Sequence, residues 1–444
     1  MEKFSTSGPI KEKNGVFITT YGCQMNVNDT ERMFSLLEMS NYTPVTSADQ
    51  ASLIKINSCS VREKPVHKVH SEVGRYRKLK EMNPNLKIGV AGCVAQQEKK
   101  RLIADIPLLD FVVGTDAIDQ LPELVNKLDR EKQVSARFEY QKPYQIETLI
   151  RNPGVSTFVN ITKGCDNFCT FCVVPFTRGR ERSRKAQELI QDIQKLVDRG
   201  VKEVTLLGQN VNSYKSECGA DFADLLRLVA TETNIQRIRY TTSHPKDFNQ
   251  KLVDIMQEHR EKVCEYIHLP VQSGNSQVLD RMNRNYTREE YIQKVKMIER
   301  AIPGVVLSTD IIVGFPGETD EQFEDTLSLL DEVSYESIYA FKYSPRPFTK
   351  AAQFTDQVDE QIKSERLNRL FAKHDEIARK LCKKYEGQTL EVLVEEVNAE
   401  GRAFGRSTQN KVVHFNGTNA LVGQTVAVKV IEAFPQTMRG ELKN

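Results

Sequence analysis

The 444-residue sequence contains no apolar run of about 18 residues, so no segment reads as a membrane-spanning helix. Near its start, "MEKFSTSGPIKEKNG", it also lacks the short apolar core of a secretion signal. The expected setting is therefore the reducing cytoplasm, where the nine cysteines serve metal binding or catalysis rather than disulfides. Tandem repeats and low-complexity tracts are missing, which removes solenoids and disordered arrays from consideration. A charge excess is missing too. With 62 Lys and Arg against 60 Asp and Glu, the net charge is +2, and only local patches can speak for or against a polyanionic partner. At 39% hydrophobic and 27% charged residues, the chain is globular and long enough for several domains.

What is present changes character along the chain. In residues 14–136, "GVFITT", "SLIKIN", "LKIGVAG" and "FVVGT" read as buried parallel strands, alternating with amphipathic stretches such as "NDTERMFSLLEMS". That alternation predicts a small doubly wound α/β domain. A polar, proline-containing stretch, "RFEYQKPYQIETLIRNPG" (137–154), reads as a linker. In residues 151–380 the alternation returns with a longer beat. Strands are expected at "TFVNIT", "EVTLLG", "RIRYTTS", "YIHLP", "VVLSTDIIV" and "SIYAFKYS", each followed by a helical pattern. Six β/α units fit a partial (β/α)6 barrel better than a closed eightfold one. A long charged helix is expected over about 356–386. The tail, 384–444, carries "TLEVLVEEV", "KVVHF" and "TVAVKVIEAF" between Gly/Asn turns, the pattern of a small β-barrel.

Cys165, Cys169 and Cys172 form C-x3-C-x2-C directly after the first strand of the second region, at the strand end where such barrels place their chemistry. A zinc site wants four ligands, and this loop supplies three with no nearby His or Cys to complete the set. Three thiolates on a four-iron cluster leave one iron open, as the amino and carboxylate groups of S-adenosylmethionine require. Phe171 would shield the cluster and pack near the adenine. Cys23, Cys59 and Cys93 are scattered in sequence, but each sits just past the C-terminal end of an expected parallel strand. Such ends line one crevice of a doubly wound sheet, so these three can converge on a second cluster. Cys218, Cys264 and Cys382 have no comparable context and are read as buried or incidental thiols.

The string "KGCDNFCTFCVVPFTRGRERSR" (163–184), with its position at a barrel mouth, resembles the radical S-adenosylmethionine superfamily, and within it the methylthiotransferase branch. "YGCQMN", "SCSVREK", "AGCVAQ", "LLGQNVNSY" and "KYSPRPFT" are most similar to the members that act on tRNA. The resemblance covers nearly the whole chain and implies an N-terminal methylthiotransferase domain, a radical barrel and a TRAM-like β-barrel. It implies methylthiolation of C2 of N6-dimethylallyladenosine at tRNA position 37, using two [4Fe-4S] clusters and S-adenosylmethionine. The implied partners are a tRNA anticodon stem-loop and an electron donor such as flavodoxin or ferredoxin, with the chain acting as a monomer and away from membranes. Phe348 and Asn285 stand where the family usually has Gly, Ser58 where it has Thr, and Pro65 where it has Ala. Competing readings are methylthiolation of another tRNA adenosine or of a ribosomal protein, and a non-catalytic RNA-binding protein whose cysteines hold zinc.

An aromatic C–H resists every side-chain acid and base at neutral pH, so the implied reaction needs a radical that a cofactor supplies. Gln209, Ser243, Gln272 and Asp310, at later strand ends, are candidate contacts to that cofactor. The turn "VGFPGET" adds Gly314 and Gly317, where backbone could approach the adenine. Arg178, Arg180, Arg182 and Arg184 alternate beyond the cluster loop and are candidate phosphate contacts for RNA, extended by the basic stretch 61–80. In the tail, Arg402, Arg406, Lys411 and Arg439, with Phe404 or Phe415 for stacking, are the candidate RNA patch.

Overall fold

Short apolar strands bounded by Gly, Asn and Cys set up the first unit. The computed structural model describes residues 14–60, 63–138, 144 and 147–443, without the side chains of 63–67. The first thirteen residues, the middle of the expected linker and the start of the basic stretch 61–80 therefore lie outside the described residues. The chain forms two units, the first built from the N-terminal residues with Leu149–Arg151 and Phe176–Arg178, the second from the rest.

In the first unit, strands β1 (Asn14–Tyr21), β2 (Tyr42–Pro44), β3 (Leu53–Ser58), β4 (Lys87–Gly92), β5 (Phe111–Val113) and β6 (Gln133–Ser135) form one parallel sheet. Their order is β2-β1-β3-β4-β5-β6. Helices α1 (Gln24–Glu38), α2 (Glu63–Arg75), α3 (Arg77–Met82), α4 (Cys93–Glu98), α5 (Lys100–Asp105) and α6 (Leu121–Lys127) connect them. One core joins Ile54, Ile56, Ile88 and Val90 to Val69, Val73 and Tyr76. The other joins Val16, Leu53 and Phe111 to Met33, Leu37 and Leu121. Two cores on one sheet make the doubly wound arrangement expected from sequence, and all six residues of β3 are buried. The three-residue strands β2 and β6 were not anticipated, because "YTP" and "QVS" are half-buried and too short to show periodicity. The strand order changes direction between β1 and β3, and ligand crevices of doubly wound sheets open at that point.

In the second unit, strands β7 (Ser156–Asn160), β10 (Glu203–Leu207) and β11 (Arg237–Tyr240) form one parallel group. Strands β12 (Tyr266–His268), β13 (Val306–Val313) and β14 (Ser337–Lys342) form another. A parallel bridge between Ile238 and Val263 links the two groups into an open arc of six strands. The tiny pair β8 (Thr162–Lys163) and β9 (Arg182–Ser183) closes the cluster loop, with the turn α7 (Val174–Thr177) inside it. Helices α8 (Ala186–Asp198), α9 (Phe222–Glu232), α10 (Gln250–Glu258), α11 (Ser276–Arg281), α12 (Arg288–Ala301), α13 (Asp320–Glu332) and α14 (Glu360–Lys383) follow the strands in turn. α12 starts on a reciprocal capping box between Thr287 and Glu290 and buries Tyr291, Val295 and Ile298 on one face. Each such side chain contributes roughly 1.5–3 kcal/mol of burial. Among the described residues no helix is long and apolar enough to cross a membrane.

The tail closes into a five-stranded barrel, β15 (Thr389–Val397), β16 (Arg402–Ser407), β17 (Val412–Asn416), β19 (Thr437–Leu442) and β18 (Thr425–Ala433), in that spatial order. β16 and β19 escaped the sequence reading because "RAFGRS" and "TMRGEL" interrupt their apolar alternation with Gly and charge. Val392, Val394, Val413, Val428, Val430 and Phe415 fill the barrel, so Phe415 is core rather than a stacking surface. The turn between β16 and β17 reaches the N-terminal ends of the arc strands. There Arg239 donates to the carbonyls of Ser407 and Thr408 at 2.6 and 3.0 Å. Its Nε meets Glu203 at 2.9 Å. Arg237 reaches the carbonyl of Arg406 at 2.7 Å, and Gln409 donates to Glu265 at 2.6 Å. Lys411 is buried against Glu336, which Tyr385 and Lys384 also contact. The expectation that Lys411 joins an RNA patch is therefore corrected: its charge is consumed inside the protein.

Candidate cluster and cofactor sites

In the first unit, α1 begins on Cys23, Cys59 follows β3 and α4 begins on Cys93. The Cys59 thiol lies within hydrogen-bonding reach of the thiols of both Cys23 and Cys93. Three residues separated by 36 and 34 positions thus meet at the sheet's switch point. Asn26 and Asn57 hold this corner. Asn57 donates to the Asn26 carbonyl at 2.8 Å and to Thr30 Oγ1 at 2.9 Å, while the Asn26 amide reaches Asn57 Oδ1 at 3.2 Å. Asn26 Oδ1 accepts from Cys23 at 3.4 Å. These asparagines lie in the quoted strings "YGCQMN" and "SLIKIN", yet their role was visible only once β1 and β3 were paired.

Shared hydrogen bonding to Cys59 lowers the Cys23 thiol to about 6 and the Cys93 thiol to about 7, with the Arg178 charge acting in the same direction. The Cys59 thiol is raised well above its usual range by its two cysteine neighbours and by burial. Arg178 is buried in this unit and pairs with Asp29 at 2.9 Å. The donor set is all sulfur, with a fixed cation beside it. That chemistry fits an iron–sulfur cluster, whose thiolates sit on separate irons. Among the described residues no group of three His, Cys, Asp or Glu is arranged as a cage for a single metal ion.

In the second unit, Cys165, Cys169 and Cys172 occupy the loop after β8, at the C-terminal mouth of the arc, and all three are half-buried. Gly164, at φ +82°, starts this loop, and a Cβ there would meet the Arg180 carbonyl at 2.1 Å. Gln209 Oε1 accepts from the Gly164 N–H at 2.5 Å, so its carbonyl end braces the cluster loop. Asn283 donates to the Asn167 and Phe168 carbonyls, and Thr170 bonds the Met282 and Ala351 backbones. Arg284, which the sequence reading missed, places Nη1 3.4 Å from Cys169 Sγ and donates to the Pro270 carbonyl at 2.8 Å. Burial raises the Cys165 thiol to about 11 and also raises Cys172. A bare loop of that kind resists ionisation, which is why a nearby guanidinium helps thiolates to form.

The mouth also collects buried polar atoms with no protein partner: Thr162 Oγ1, Asn210 Oδ1, both ends of the Asn212 amide, Ser243 Oγ and His244 Nε2. Buried polar atoms are ordinarily hydrogen-bonded, so this concentration fits a polar cofactor such as S-adenosylmethionine. Ser243 was a sequence candidate, whereas Asn210, Asn212 and His244 were missed despite the quoted "LLGQNVNSY" and the His-Pro step in the loop after β11. His244 Nδ1 accepts from Lys246 N–H at 3.2 Å, which leaves Nε2 to carry the proton. Burial, with Arg284 and Lys246 nearby, lowers its pKa to about 2. Asp310 lies 3.6 Å from His268 Nε2, and Gln272, at φ +76°, pairs its backbone with β13. Phe171 packs against the cluster of Phe315, Tyr343 and Met282. A Cβ at Gly314 would meet the Lys363 side chain, and one at Gly317 the Arg281–Asp356 pair, so these two glycines accommodate protein side chains.

The arginine run separates into two kinds. Arg184 is buried, bonded to Asp192 at 2.7 Å and to Thr148 Oγ1 at 2.9 Å. With Arg178 committed to Asp29, the expectation of RNA contacts at these two positions is corrected: neither guanidinium reaches solvent. Arg180 is exposed, clamps Asp166 at 2.7 and 3.2 Å, and lies over the exposed Phe168 ring at 5.4 Å. Arg182 is half-buried, with its guanidinium over the Tyr144 ring at 5.8 Å.

Comparisons with known proteins agree with this layout. The model for the radical SAM superfamily matches residues 159–330, that for the Uncharacterized protein family UPF0004 matches 15–114, and that for the TRAM domain matches 383–443. Among solved structures, the radical S-adenosylmethionine methyltransferase TsrM from Kitasatospora setae matches at a TM-score of 0.55 and 12% identity. It covers 77% of this chain and 74% of that one. The cobalamin-dependent radical enzyme OxsB matches at 0.52 and 13% identity, covering 83% of this chain and 56% of its own. At such identities these matches speak for the fold alone. A Bdellovibrio bacteriovorus protein named tRNA-2-methylthio-N(6)-dimethylallyladenosine synthase is 63% identical over 445 residues, covering 100% of this chain and 98% of that protein. Its Bacillus subtilis namesake is 43% identical, covering 96% of this chain and 85% of that protein. The chain belongs to the family of tRNA-2-methylthio-N(6)-dimethylallyladenosine synthases, within the radical SAM superfamily.

Proposed function

We propose that this chain is a tRNA methylthiotransferase that replaces the C2 hydrogen of N6-dimethylallyladenosine with a methylthio group, at position 37 beside the anticodon. Full-length identity of 63% to a protein of that name carries the reading. A [4Fe-4S] cluster held by Cys165, Cys169 and Cys172, a second held by Cys23, Cys59 and Cys93, and S-adenosylmethionine supply the electron, the radical, the sulfur and the methyl group when bound.

The chain's own side chains position and shield. Gln209 and Gly164 fix the course of the cluster loop, and Arg284 offsets negative charge on Cys169. Ser243 Oγ and the Nε2–H of the neutral His244 are hydrogen-bonding groups available to the cofactor. Phe171 covers the apolar side of the site. The buried Arg178 stabilises thiolates at Cys23 and Cys93. Within the arginine run, Arg180 and Arg182 are the remaining candidates for RNA phosphates. An electron donor such as flavodoxin or ferredoxin, action as a monomer and a cytoplasmic location complete the reading.

Anaerobic reconstitution tests it. About eight irons per chain are expected, falling to about four when either cysteine trio is replaced by Ala. Replacing Cys165, Cys169 and Cys172 should abolish cofactor cleavage, while replacing Cys23, Cys59 and Cys93 should stop methylthiolation of dimethylallylated tRNA. A colourless, zinc-loaded wild type, or methylthio product from the second triple variant, would overturn the assignment.

A further inference from the structure

Phe348 combines two unfavourable features. Its backbone is left-handed, at φ +69°, where a bulky side chain is a genuine outlier. The residue is 63% exposed to solvent. Asn285 has a similar φ of +56° but is a residue type that tolerates it. Glycine would relieve both problems at position 348, since it has neither Cβ nor ring. Strain of this kind clusters at active sites and ligand clamps, and the inference runs from the observed outlier to such a role.

The loop bearing Phe348 is held at the arc's C-terminal mouth. Thr349 bonds back to the Arg346 carbonyl through both its N–H and its hydroxyl. Two residues later, the Ala351 N–H donates to the Thr170 carbonyl at 2.9 Å, between Cys169 and Cys172. The ring is thus carried by a loop tied to the cluster loop itself. Its flanks in "RPFTK" are Arg346 and the exposed Lys350. On the cluster loop, the exposed Phe168 lies beneath Arg180. Exposed aromatics interleaved with cations are the equipment for splayed single-stranded bases, which stack on rings while phosphates take the charges.

We propose that Phe348 is a specificity-determining residue: a stacking platform for an unpaired base flanking the modified adenosine in the RNA loop, with Lys350 on a neighbouring phosphate. This rests on the tRNA reading given above. The test measures binding of a dimethylallylated anticodon stem-loop RNA to reconstituted full-length protein by fluorescence anisotropy. Phe348→Gly and Phe348→Leu should raise Kd by about 5- to 150-fold, the range set by base–aromatic stacking. Phe348→Tyr, which keeps a stacking ring, should bind within about twofold of wild type. Thermal unfolding of Phe348→Gly, measured beside wild type, separates lost contact from lost fold. In turnover, KM for RNA should rise while kcat at saturating RNA changes little. Removing the base on one side of the target adenosine should weaken wild-type binding and abolish the difference between Phe348 and Gly. Equal affinities for wild type and Phe348→Gly, full retention by Phe348→Leu, or the same Gly penalty with either flanking base removed would overturn the platform. Wild-type protein without affinity for the stem-loop would instead overturn the functional reading on which the platform stands.

Discussion

Arg178 Nη2 meets Asp29 Oδ2 at 2.9 Å across 149 residues of sequence, with both side chains buried in the first unit. Breaking such a pair by removing one partner leaves an uncompensated buried charge, at about 3–5 kcal/mol. Arg178→Met should therefore lower first-unit stability by that order in urea unfolding. The double variant with Asp29→Asn should recover part of the loss, because neither charge then remains. An unchanged midpoint for Arg178→Met would refute the pairing. Iron content should also fall in the single variant, since Cys23 and Cys93 lose the cation that favours their thiolates.

The cluster loop depends on one glycine. Gly164→Ala would place a methyl group 2.1 Å from the Arg180 carbonyl at φ +82°. Backbone must move, and the Gly164 N–H bond to Gln209 moves with it. The expected outcome is loss of about four of the eight irons and of cofactor cleavage, with the first-unit cluster retained. Iron analysis of the alanine variant in a background lacking Cys23, Cys59 and Cys93 checks this directly.

Arg239 joins the tail barrel to the arc. Arg239→Met would leave Glu203, itself buried, without its partner and would remove the donors to the Ser407 and Thr408 carbonyls. A loss of roughly 3–5 kcal/mol is expected. Limited proteolysis should then cut near residues 383–388, where wild type resists. Identical digestion patterns for the two proteins would contradict the proposed joint.

His244 gives stability an acid limit. Burial, aided by Arg284 and Lys246, holds it neutral down to about pH 2, whereas an unfolded histidine takes up a proton near 6.5. Below pH 6.5 the unfolded chain binds a proton that the folded chain refuses. Its contribution is thus complete above 6.5 and lost as pH falls, at about 1.4 kcal/mol per pH unit. His244→Asn should flatten the stability slope between pH 6 and pH 4 by up to one proton. Equal slopes would show that the folded site accepts the proton.

Much of this was legible before any coordinates. Cys23, Cys59 and Cys93 could be grouped because parallel strands announce themselves as short apolar runs, and their C-terminal ends converge in a doubly wound sheet. The arginine run was misread for an equally physical reason. Alternating charge resembles an exposed strand, and nothing near Arg178 or Arg184 in sequence announces Asp29 or Asp192 as a buried partner. Lys411 and Phe415 failed the same way, because the floor of one barrel and the core of another are long-range facts. At Phe348 the departure from glycine was visible, but the left-handed backbone that gives it meaning was not.

The turn between β16 and β17 bears on protein engineering. Because Ser407–Lys411 answers Arg239, Glu265 and Glu336 group by group, a tail borrowed from another protein would strand those charges unless its loop matched. Chimeras should therefore transplant the turn and its receiving residues together, and a simple truncation after α14 should yield an aggregation-prone stump instead of a tidy minimal enzyme.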